Sequence, residues 1–217
     1  MINILYEDNH LLVVLKPVNV PVCEDESKDL DLLNMLKQYL KEKYNKKGNV
    51  YLGLVHRLDR PVGGVMVFAK TSKAASRLSK QVMDHTLKKE YHAIVIGKVT
   101  EGRYEDKLIK DSKTNISRVD KNGKIAILDY KLIKYDEQNN YSLVKINLKT
   151  GRSHQIRVQF SYHNHPLVGD NKYNKIEIKK IPVCLFSSSL SFNHPITNET
   201  LTFNYDLPNS YPWNLFK

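Results

Sequence analysis

The chain has 217 residues, 41% of them apolar and 26% charged, which is the composition of an ordinary folded protein. This length suits one domain, or one sheet-based domain with two lobes. No stretch approaches the roughly 18 consecutive apolar residues of a membrane-spanning helix. Glu7 and Asp8 come too early in the chain for a signal-peptide core. We therefore expect a cytoplasmic protein without a membrane segment.

The chain is basic, with 34 Lys and Arg against 23 Asp and Glu and a formal net charge of +11. Such an excess favours a polyanionic partner, and nucleic acid ahead of acidic lipid. A lysine-rich solubilising surface explains the charge alone equally well. Only seven of the 34 basic residues are arginine, and four of the seven lie in two short segments: Arg57, Arg60, Arg152 and Arg157. The planar arginine fork suits carboxylate pairing and RNA contact.

The two cysteines, Cys23 and Cys184, lie far apart, and neither has a CxxC partner. A structural zinc site needs four ligands at close spacings, so this pattern indicates no zinc site. We interpret both residues as reduced thiols that pack against neighbours.

The first half of the chain predicts short strands and two helices. Residues 2–7 and 11–15 have the apolar, β-branched composition of strands, and the prolines at 17 and 21 make residues 16–21 an extended loop. Residues 30–44 repeat apolar positions at three-and-four spacing, which predicts an amphipathic helix. A buried strand follows at 65–69, and Ser72 is the predicted N-cap of a helix that runs to about residue 85.

The second half predicts mostly strands. A strand over residues 90–99 places Tyr91, Ala93, Val95 and Gly97 on one face. Turns at 121–123 and 138–140 indicate hairpins, a helix is predicted over 153–163, and strands return at 184–192 and 200–205. Strands in meanders with a few helices between them favour the α+β class. We predict a mixed, largely antiparallel sheet with flanking helices and no domain boundary.

The first segment with chemical interest is GLVHRLDRPVGGVMVFAK, residues 53–70. Its aspartate, Asp59, lies between Arg57 and Arg60 in the sequence. A nearby cation favours the ionised carboxylate, which a nucleophile or base needs. From these residues alone, a salt bridge within a loop explains the segment better than catalysis.

Two later segments have similar character. In KKEYHAIVIGKV, residues 88–99, Tyr91 is a strand aromatic for which packing is the simplest interpretation. In INLKTGRSHQIRV, residues 146–158, a strand, a glycine turn and a helix start put Arg152 at a helix N-terminus. Its side chain is then free to reach a carboxylate.

Together these segments resemble the RluA-type pseudouridine synthases. The resemblance rests on HRLD with a glycine-led strand ending in AKT, on a lysine-x-tyrosine strand and on TGRSHQIR, and it extends from Lys16-Pro17 to Pro212-Trp213. It implies the pseudouridine synthase fold with a catalytic cleft, in one catalytic domain over residues 1–217 without the S4 RNA-binding domain of many relatives. Departures at Leu15, at Gly63 and at residues 185–187 bear on substrate preference.

The resemblance implies an enzyme that isomerises specific uridines in ribosomal or transfer RNA to pseudouridine. Asp59 would be the nucleophile or base on a flipped-out uridine, Tyr91 would stack on the base, and Arg152 would pair with the carboxylate. The sequence does not decide between a covalent route and a glycal route. Expected substrate contacts are His56, Arg57, Arg60, Gln155 and Arg157, with Arg57 entering the space that the flipped nucleotide leaves.

The reaction breaks the N1–C1′ bond and rejoins the base through C5, so we expect no cofactor and no metal. RNA is the expected partner, and a monomer is the expected state. Phosphate contacts would come from surface lysines such as Lys88, Lys89, Lys110, Lys113 and Lys124.

Three other functions compete with this prediction. An inactive RNA-binding protein of the same fold is disfavoured because Asp59, Tyr91 and Arg152 are all present. A metal-dependent nuclease around residues 163–165 lacks an organised set of carboxylates. A glycosidase needs two cooperating carboxylates, and only Asp59 stands out.

Overall fold

The computed structural model describes residues 2–25, 27–174 and 181–217, and its fold is of the α+β class, as predicted. The chain divides into two compact units: unit 1 comprises Met1–Lys88 and Ser189–Tyr205, and unit 2 comprises Lys89–Ser188 and Asp206–Lys217. Among the described residues, no helix combines the length and the apolar character that crossing a membrane requires.

The secondary structure elements are, in chain order, β1 (Asn3–Glu7), β2 (Leu11–Lys16), α1 (Leu32–Lys43), β3 (Gly53–Leu54), β4 (Gly63–Ala69), α2 (Ser72–Met83), β5 (Lys88–Ile96), β6 (Gly102–Asp111), β7 (Ile116–Val119), β8 (Lys124–Asp136), β9 (Tyr141–Leu148), α3 (Gln155–Tyr162), β10 (Leu185–Asn193), β11 (Thr200–Asn204) and a 3₁₀ helix (Trp213–Phe216).

The sheet strands of unit 1 follow the order β1-β2-β4-β10, where only Ser189–Asn193 of β10 belong to this unit, with β3 also paired to β4 and β11 to β10. Strands β2 and β4 pair antiparallel from Leu11 opposite Ala69 to Lys16 opposite Gly64. All seven residues of β4 are buried, which explains why its sequence is a continuous apolar run rather than an alternating one. The core here consists of Leu11, Val13, Val65, Val67, Ala69, Ala74, Leu78, Leu87, Leu190 and Phe192.

Helix α1 confirms the predicted amphipathic segment, since Leu32, Leu36 and Leu40 are its buried residues. It begins two residues later than predicted because Asp31 is its N-cap, with a side chain that accepts a hydrogen bond from the Asn34 amide at 3.0 Å. Aspartate favours this position because it satisfies an amide that has no partner within the helix.

Helix α2 also begins with a capping side chain, although not the one predicted from the sequence. Thr71 Oγ1 accepts a hydrogen bond from the Ala74 amide at 3.2 Å, and Ser72 is already the first helical residue. The prediction of Ser72 as the N-cap is therefore wrong by one position.

The sheet strands of unit 2 follow the order β5-β9-β8-β6-β7, and each of these pairs is antiparallel. Strand β5 begins two residues before the predicted start and ends before Gly97, which has a positive φ of 89°. Tyr91, Ala93 and Val95 are buried, as expected for residues that share an inward face. The predicted hairpin turn at 138–140 is confirmed, because β8 and β9 pair across it. A turn also separates β7 from β8 at 121–123, but the hairpin predicted there is wrong, because both of these strands pair with β6 and not with each other.

Helix α3 is shorter than the predicted helix over residues 153–163. It starts at Gln155 because His154 has left-handed backbone torsions, with φ 53° and ψ 23°. Arg152 therefore precedes the helix instead of standing in its first turn. Strands β10 and β11 lie within one residue of their predicted bounds.

The two hydroxyls at the start of α2 make a matched pair for experiment. Replacing Thr71 with Ala removes the capping acceptor and is expected to lower the free energy of unfolding by about 1 kcal/mol. Replacing Ser72 with Ala, within the helix, is expected to change it by less than about 0.5 kcal/mol. Urea denaturation of both variants measures the difference, and a larger loss for Ser72→Ala would contradict the assigned cap.

Candidate active site

Asp59 lies in unit 1, in a turn that immediately precedes β4. The carbonyl of Asp59 accepts a hydrogen bond from the Val62 amide at 3.0 Å, which closes the turn. Leu58 is buried, whereas Asp59 is half-buried. The buried side chain of Leu58 thus anchors the turn, while the adjacent Asp59 stays partly accessible to solvent.

A buried lysine holds this turn. Lys16, the last residue of β2, is only 1% exposed, and its Nζ donates to the carbonyls of Pro17 at 2.9 Å, Arg60 at 3.0 Å and Val62 at 2.8 Å. An ammonium group has three N–H donors, so all three are used. Burial lowers the pKa of Lys16 to about 7, while the negative charge of Asp59 acts in the opposite direction.

Sequence reasoning did not identify Lys16 as part of the site. The available signal was a single charged residue closing the apolar run LLVVL, directly before a proline. A lysine in that position is usually interpreted as the point where a strand reaches solvent. The structure shows that this one is buried.

The two arginines that flank Asp59 in sequence differ in their contacts. The Arg60 guanidinium forms an ion pair with Asp29 and donates to Ser27 Oγ at 2.9 Å, so it is directed to the loop before α1. Arg57 is exposed and, in the part of the chain that the structure describes, makes no hydrogen bond or ion pair. Arg60 thus has partners of its own in Asp29 and Ser27, and its expected effect on Asp59 stays a prediction.

His56 has a clear structural contact. It is 8% exposed, and its Nε2 accepts a hydrogen bond from the Val67 amide of β4 at 3.2 Å. This bond fixes the HRLD segment against β4 from the inside. Its predicted contact with substrate stays a prediction.

Tyr91 and Lys89 lie two residues apart on strand β5 of unit 2. Tyr91 is 5% exposed and opposite Ile146 of β9. Lys89 is half-buried, and its Nζ lies 3.4 Å from the point that a Cβ on Gly151 would occupy. Burial lowers the pKa of Lys89. The Lys89 ammonium group thus lies beside the Thr150–Arg152 turn.

Gln155 organises the turn that carries Arg152. Its buried side chain accepts from the Thr150 hydroxyl at 2.8 Å and the Arg152 amide at 3.0 Å, and its Nε2 donates to the Ile127 carbonyl at 3.1 Å. Both ends of the Gln155 amide are therefore occupied within the protein. Arg152 itself is exposed, and its Nε donates to the Ile125 carbonyl at 2.9 Å.

Arg157 is a buried residue of α3. Its Nε and one terminal nitrogen each lie 2.7 Å from an oxygen of Asp170, which is the bidentate geometry of a strong ion pair. The guanidinium also lies over the ring of Tyr173, at 5.1 Å from the centroid. Tyr173 in turn bonds to His154 Nδ1 at 2.6 Å, which supports that residue in its unfavourable left-handed conformation.

The histidines proposed for a nuclease centre have other partners. His163 Nε2 lies 3.1 Å from Asp106 Oδ2, and its ring stacks on Tyr104 at 4.0 Å. His165 Nδ1 bonds to the Ile96 carbonyl at 3.1 Å. Within the described ranges, no three His, Cys, Asp or Glu residues are grouped as metal ligands. The nuclease alternative has no support from this geometry.

The cysteines are free thiols, as predicted. Cys184 is buried, and burial raises its pKa to about 12. A thiol with so high a pKa is unreactive at neutral pH and serves packing.

The predicted catalytic residues belong to different units. Asp59 lies in unit 1, and Tyr91 and Arg152 lie in unit 2. The structure provides a held turn for Asp59 and an organised turn for Arg152, each within its own unit. The assembly of the three residues into one site stays a prediction.

The comparison with known proteins agrees with these motifs. A family model described as RNA pseudouridylate synthase matches residues 10–162. The ribosomal large subunit pseudouridine synthase D of Vibrio cholerae is 34% identical over 225 residues, covering 95% of this chain and 68% of the relative. The tRNA pseudouridine synthase C of Yersinia pestis is 31% identical, covering 96% of this chain and 88% of the relative.

Solved structures show the same fold. Human RNA pseudouridylate synthase domain containing 4 aligns with a TM-score of 0.80 at 23% identity, over 95% of this chain and 88% of that one. The human domain containing 1 protein aligns with a TM-score of 0.78 at 21% identity, over 95% and 83%. The chain belongs to the RNA pseudouridylate synthase family and is an RNA isomerase.

The Arg157–Asp170 pair should dominate the stability of this region. Replacing Asp170 with Ala leaves a buried guanidinium without its carboxylate and is expected to lower the free energy of unfolding by about 3–5 kcal/mol. Asp129→Ala is the matched control in the same unit, since Asp129 pairs with Arg103 at a largely exposed position. That loss should not exceed about 1 kcal/mol. Equal losses of unfolding free energy in denaturant titrations would show that the buried pair contributes no more to stability than the exposed one.

Proposed function

We propose that this enzyme converts specific uridines in ribosomal or transfer RNA to pseudouridine. The names of its relatives, which include ribosomal and transfer RNA enzymes, support this substrate class. The net charge of +11 supports it independently, because phosphate backbones attract basic proteins. The observation that carries the proposal is the Asp59 turn, in which a carboxylate of the HRLD motif is presented from a firmly held loop.

Asp59 acts as the nucleophile or base at the sugar of the target nucleotide. Isomerisation detaches uracil at N1, rotates it and reattaches it at C5, so one carboxylate suffices for a covalent step or a proton transfer. Its half-buried position in a closed turn supports this role, because a carboxylate with restricted motion is aligned before the substrate arrives.

The target uridine leaves the helical stack to reach Asp59, and Tyr91 stacks on the extruded base. The Tyr91 hydroxyl is also a candidate for removing the proton from C5 of the base. Arg57 enters the space that the nucleotide leaves, which its exposed and unengaged guanidinium supports within the described residues. Arg152 pairs with Asp59 and keeps it oriented, using the terminal guanidinium nitrogens that remain beyond its Nε bond to Ile125.

Phosphate contacts come from the lysines. Lys88, Lys110, Lys113 and Lys124 are exposed, as phosphate ligands need to be. The proposed enzyme acts as a monomer in the cytosol, where ribosomal and transfer RNA are found, and its isomerisation uses no metal or cofactor. Binding through these lysines should weaken as salt is added, because bound counter-ions are released from the RNA.

The decisive variant for the reaction is Asp59→Asn, which keeps the size of the side chain and removes its charge. RNA transcripts of ribosomal and transfer sequences are labelled with tritium at uridine C5, and tritium released to water is counted. Wild-type protein should release tritium from at least one transcript. The variant should release it at least about 10⁴-fold more slowly, which is near the full effect of removing an essential catalytic group.

The affinities of the two proteins for the same RNA, measured by filter binding, should agree within about threefold, since one charge contributes little to a large contact surface. Tritium release that survives Asp59→Asn would refute the catalytic assignment. Wild-type protein that binds RNA and releases no tritium from either class would favour an inactive RNA-binding protein.

Arg152 is tested by Arg152→Met and Arg152→Lys. If its charge supports Asp59, Met should lower kcat by roughly 10²-fold with little change in KM, and Lys should recover part of the loss. Single-turnover tritium release, followed over enzyme concentrations up to saturation, measures the effects on the catalytic rate and on RNA binding separately. An unchanged kcat with a raised KM would instead assign Arg152 to RNA binding.

A further inference from the structure

We infer that the outer face of α1 and the segment after this helix form a second RNA contact, in which Lys37 and Lys41 bind phosphates of the RNA backbone. This inference rests on the proposed RNA substrate, and it concerns binding and not the reaction. Among the described residues that line the contact, none is a predicted catalytic residue. The phosphates that it binds therefore belong to nucleotides other than the target uridine.

The contact is a hollow of about 480 Å³ in unit 1. One wall is a single face of α1, with the side chains of Asn34, Lys37, Gln38 and Lys41, and the other wall is residues 48–50. A volume of this order accommodates a small ligand. The hollow thus has room for a phosphate group and part of its sugar.

The end of α1 explains why the second wall lies beside the first. Asn45 has a left-handed backbone with φ 47°, and its amide donates to the Glu42 carbonyl at 3.2 Å. The Lys46 amide donates to the Lys41 carbonyl at 3.0 Å, which completes a Schellman motif. Gly48 then has φ 102°, a conformation that residues with a side chain rarely adopt. The return of the chain along the helix is therefore specified by the sequence.

The two ionic side chains of the lining are both cations. Lys37 is half-buried and Lys41 is exposed, and in the part of the chain that the structure describes neither forms an ion pair. Lys43, by contrast, points away from this face of α1 and pairs with Glu7 at 2.8 Å. Two positive charges in the hollow are therefore left for a ligand.

The carboxylates closest to the hollow in sequence have other partners. Asp31 accepts a hydrogen bond from Asn34 Nδ2 at 2.7 Å, and Glu42 accepts one from Gln38 Nε2 at 2.6 Å. Both acids are thus engaged by amide groups of the hollow wall, and neither of them lines the hollow. An anion that enters it meets ammonium groups and no carboxylate of the lining.

A structural role for these lysines explains only one of them. A lysine in the last turn of a helix interacts favourably with the helix dipole, and Lys41 lies in the last turn of α1. Lys37 lies one turn earlier, where this effect has fallen off. Like charges four positions apart also destabilise a helix. A bound phosphate would remove that repulsion.

Backbone phosphate of the substrate RNA fits this hollow better than other anions do. Ammonium groups bind phosphate as point charges, which recognises the backbone without reading the bases. The hollow also belongs to the same unit as Asp59, and Arg60 joins the Asp59 turn to the loop before α1 through Asp29. One RNA molecule can therefore contact both the turn and the hollow.

The test compares two double variants of the full-length protein. In the first, Lys37→Gln and Lys41→Gln remove the two charges of the hollow. In the matched control, Lys73→Gln and Lys80→Gln remove two charges from exposed positions of α2 in the same unit. Filter binding of the ribosomal and transfer transcripts is measured over a series of salt concentrations, and tritium release is measured at saturating enzyme.

The hollow variant should bind RNA about tenfold or more weakly at about 0.1 M salt, because two phosphate contacts are lost. The slope of log affinity against log salt should become shallower by about 1.4–1.8, which is roughly 0.7–0.9 for each contact. The rate of tritium release at saturation should stay within about threefold of wild type, since the hollow does not touch the reacting atoms. The control should keep the wild-type slope. A further variant with Lys37→Arg and Lys41→Arg should keep it too, because both charges remain.

A wild-type slope in the hollow variant would overturn the inference. An equal change of slope in the α2 control would also overturn it, because net charge and not the hollow would then determine binding. A lower rate at saturation with an unchanged affinity would assign the two lysines to the reaction and contradict the inference. Asp59→Asn is tested by tritium release and not by the salt slope, so the proposed function and this inference can fail separately.

Discussion

The side-chain nitrogen of Lys16 is a polar group that water does not reach, and the surrounding backbone has to satisfy its hydrogen bonds. Three carbonyls do so, two of them in the turn that follows Asp59. A buried polar group that loses its hydrogen bonds is destabilising by about 1–3 kcal/mol, so the turn conformation is coupled to the pairing of β2 with β4. The position of Asp59 therefore depends on the core sheet of unit 1 as much as on its own loop. A catalytic group needs such restraint, because small displacements cost large factors in rate.

Unit 2 also contains a turn that buried side chains hold in place. Gln155 and Arg157 stand in the most distinctive motif of the chain, yet both are buried and bonded within the protein, to the Thr150–Arg152 turn and to Asp170. Arg152, in the same motif, is exposed. A family motif thus contains residues that shape a turn and residues that the turn presents. Burial and hydrogen bonding distinguish the turn-shaping residues from the presented ones, whereas the sequence alone does not distinguish them.

Much of the fold could be predicted from the sequence, because helix α1 and strand β4 leave strong patterns of apolar residues. The start of α2 could not be fixed, since Thr71 and Ser72 are adjacent hydroxyls and either can cap. Asp59 was found through its motif. Lys16 was missed for a physical reason: its partners are backbone carbonyls, which every residue has, so no pattern of side chains indicates them. The left-handed conformation of His154 could not be predicted either, because its supporting bond goes to Tyr173, 19 residues later in the chain.

The central claim is that this chain makes pseudouridine in cellular RNA through Asp59. The most direct measurement maps pseudouridine, by carbodiimide labelling, in ribosomal and transfer RNA from cells that carry the wild-type gene, no gene, or only the Asp59→Asn form. The account predicts specific pseudouridines that disappear with the gene, return with the wild type and stay absent with the variant. The same map in all three strains would contradict it.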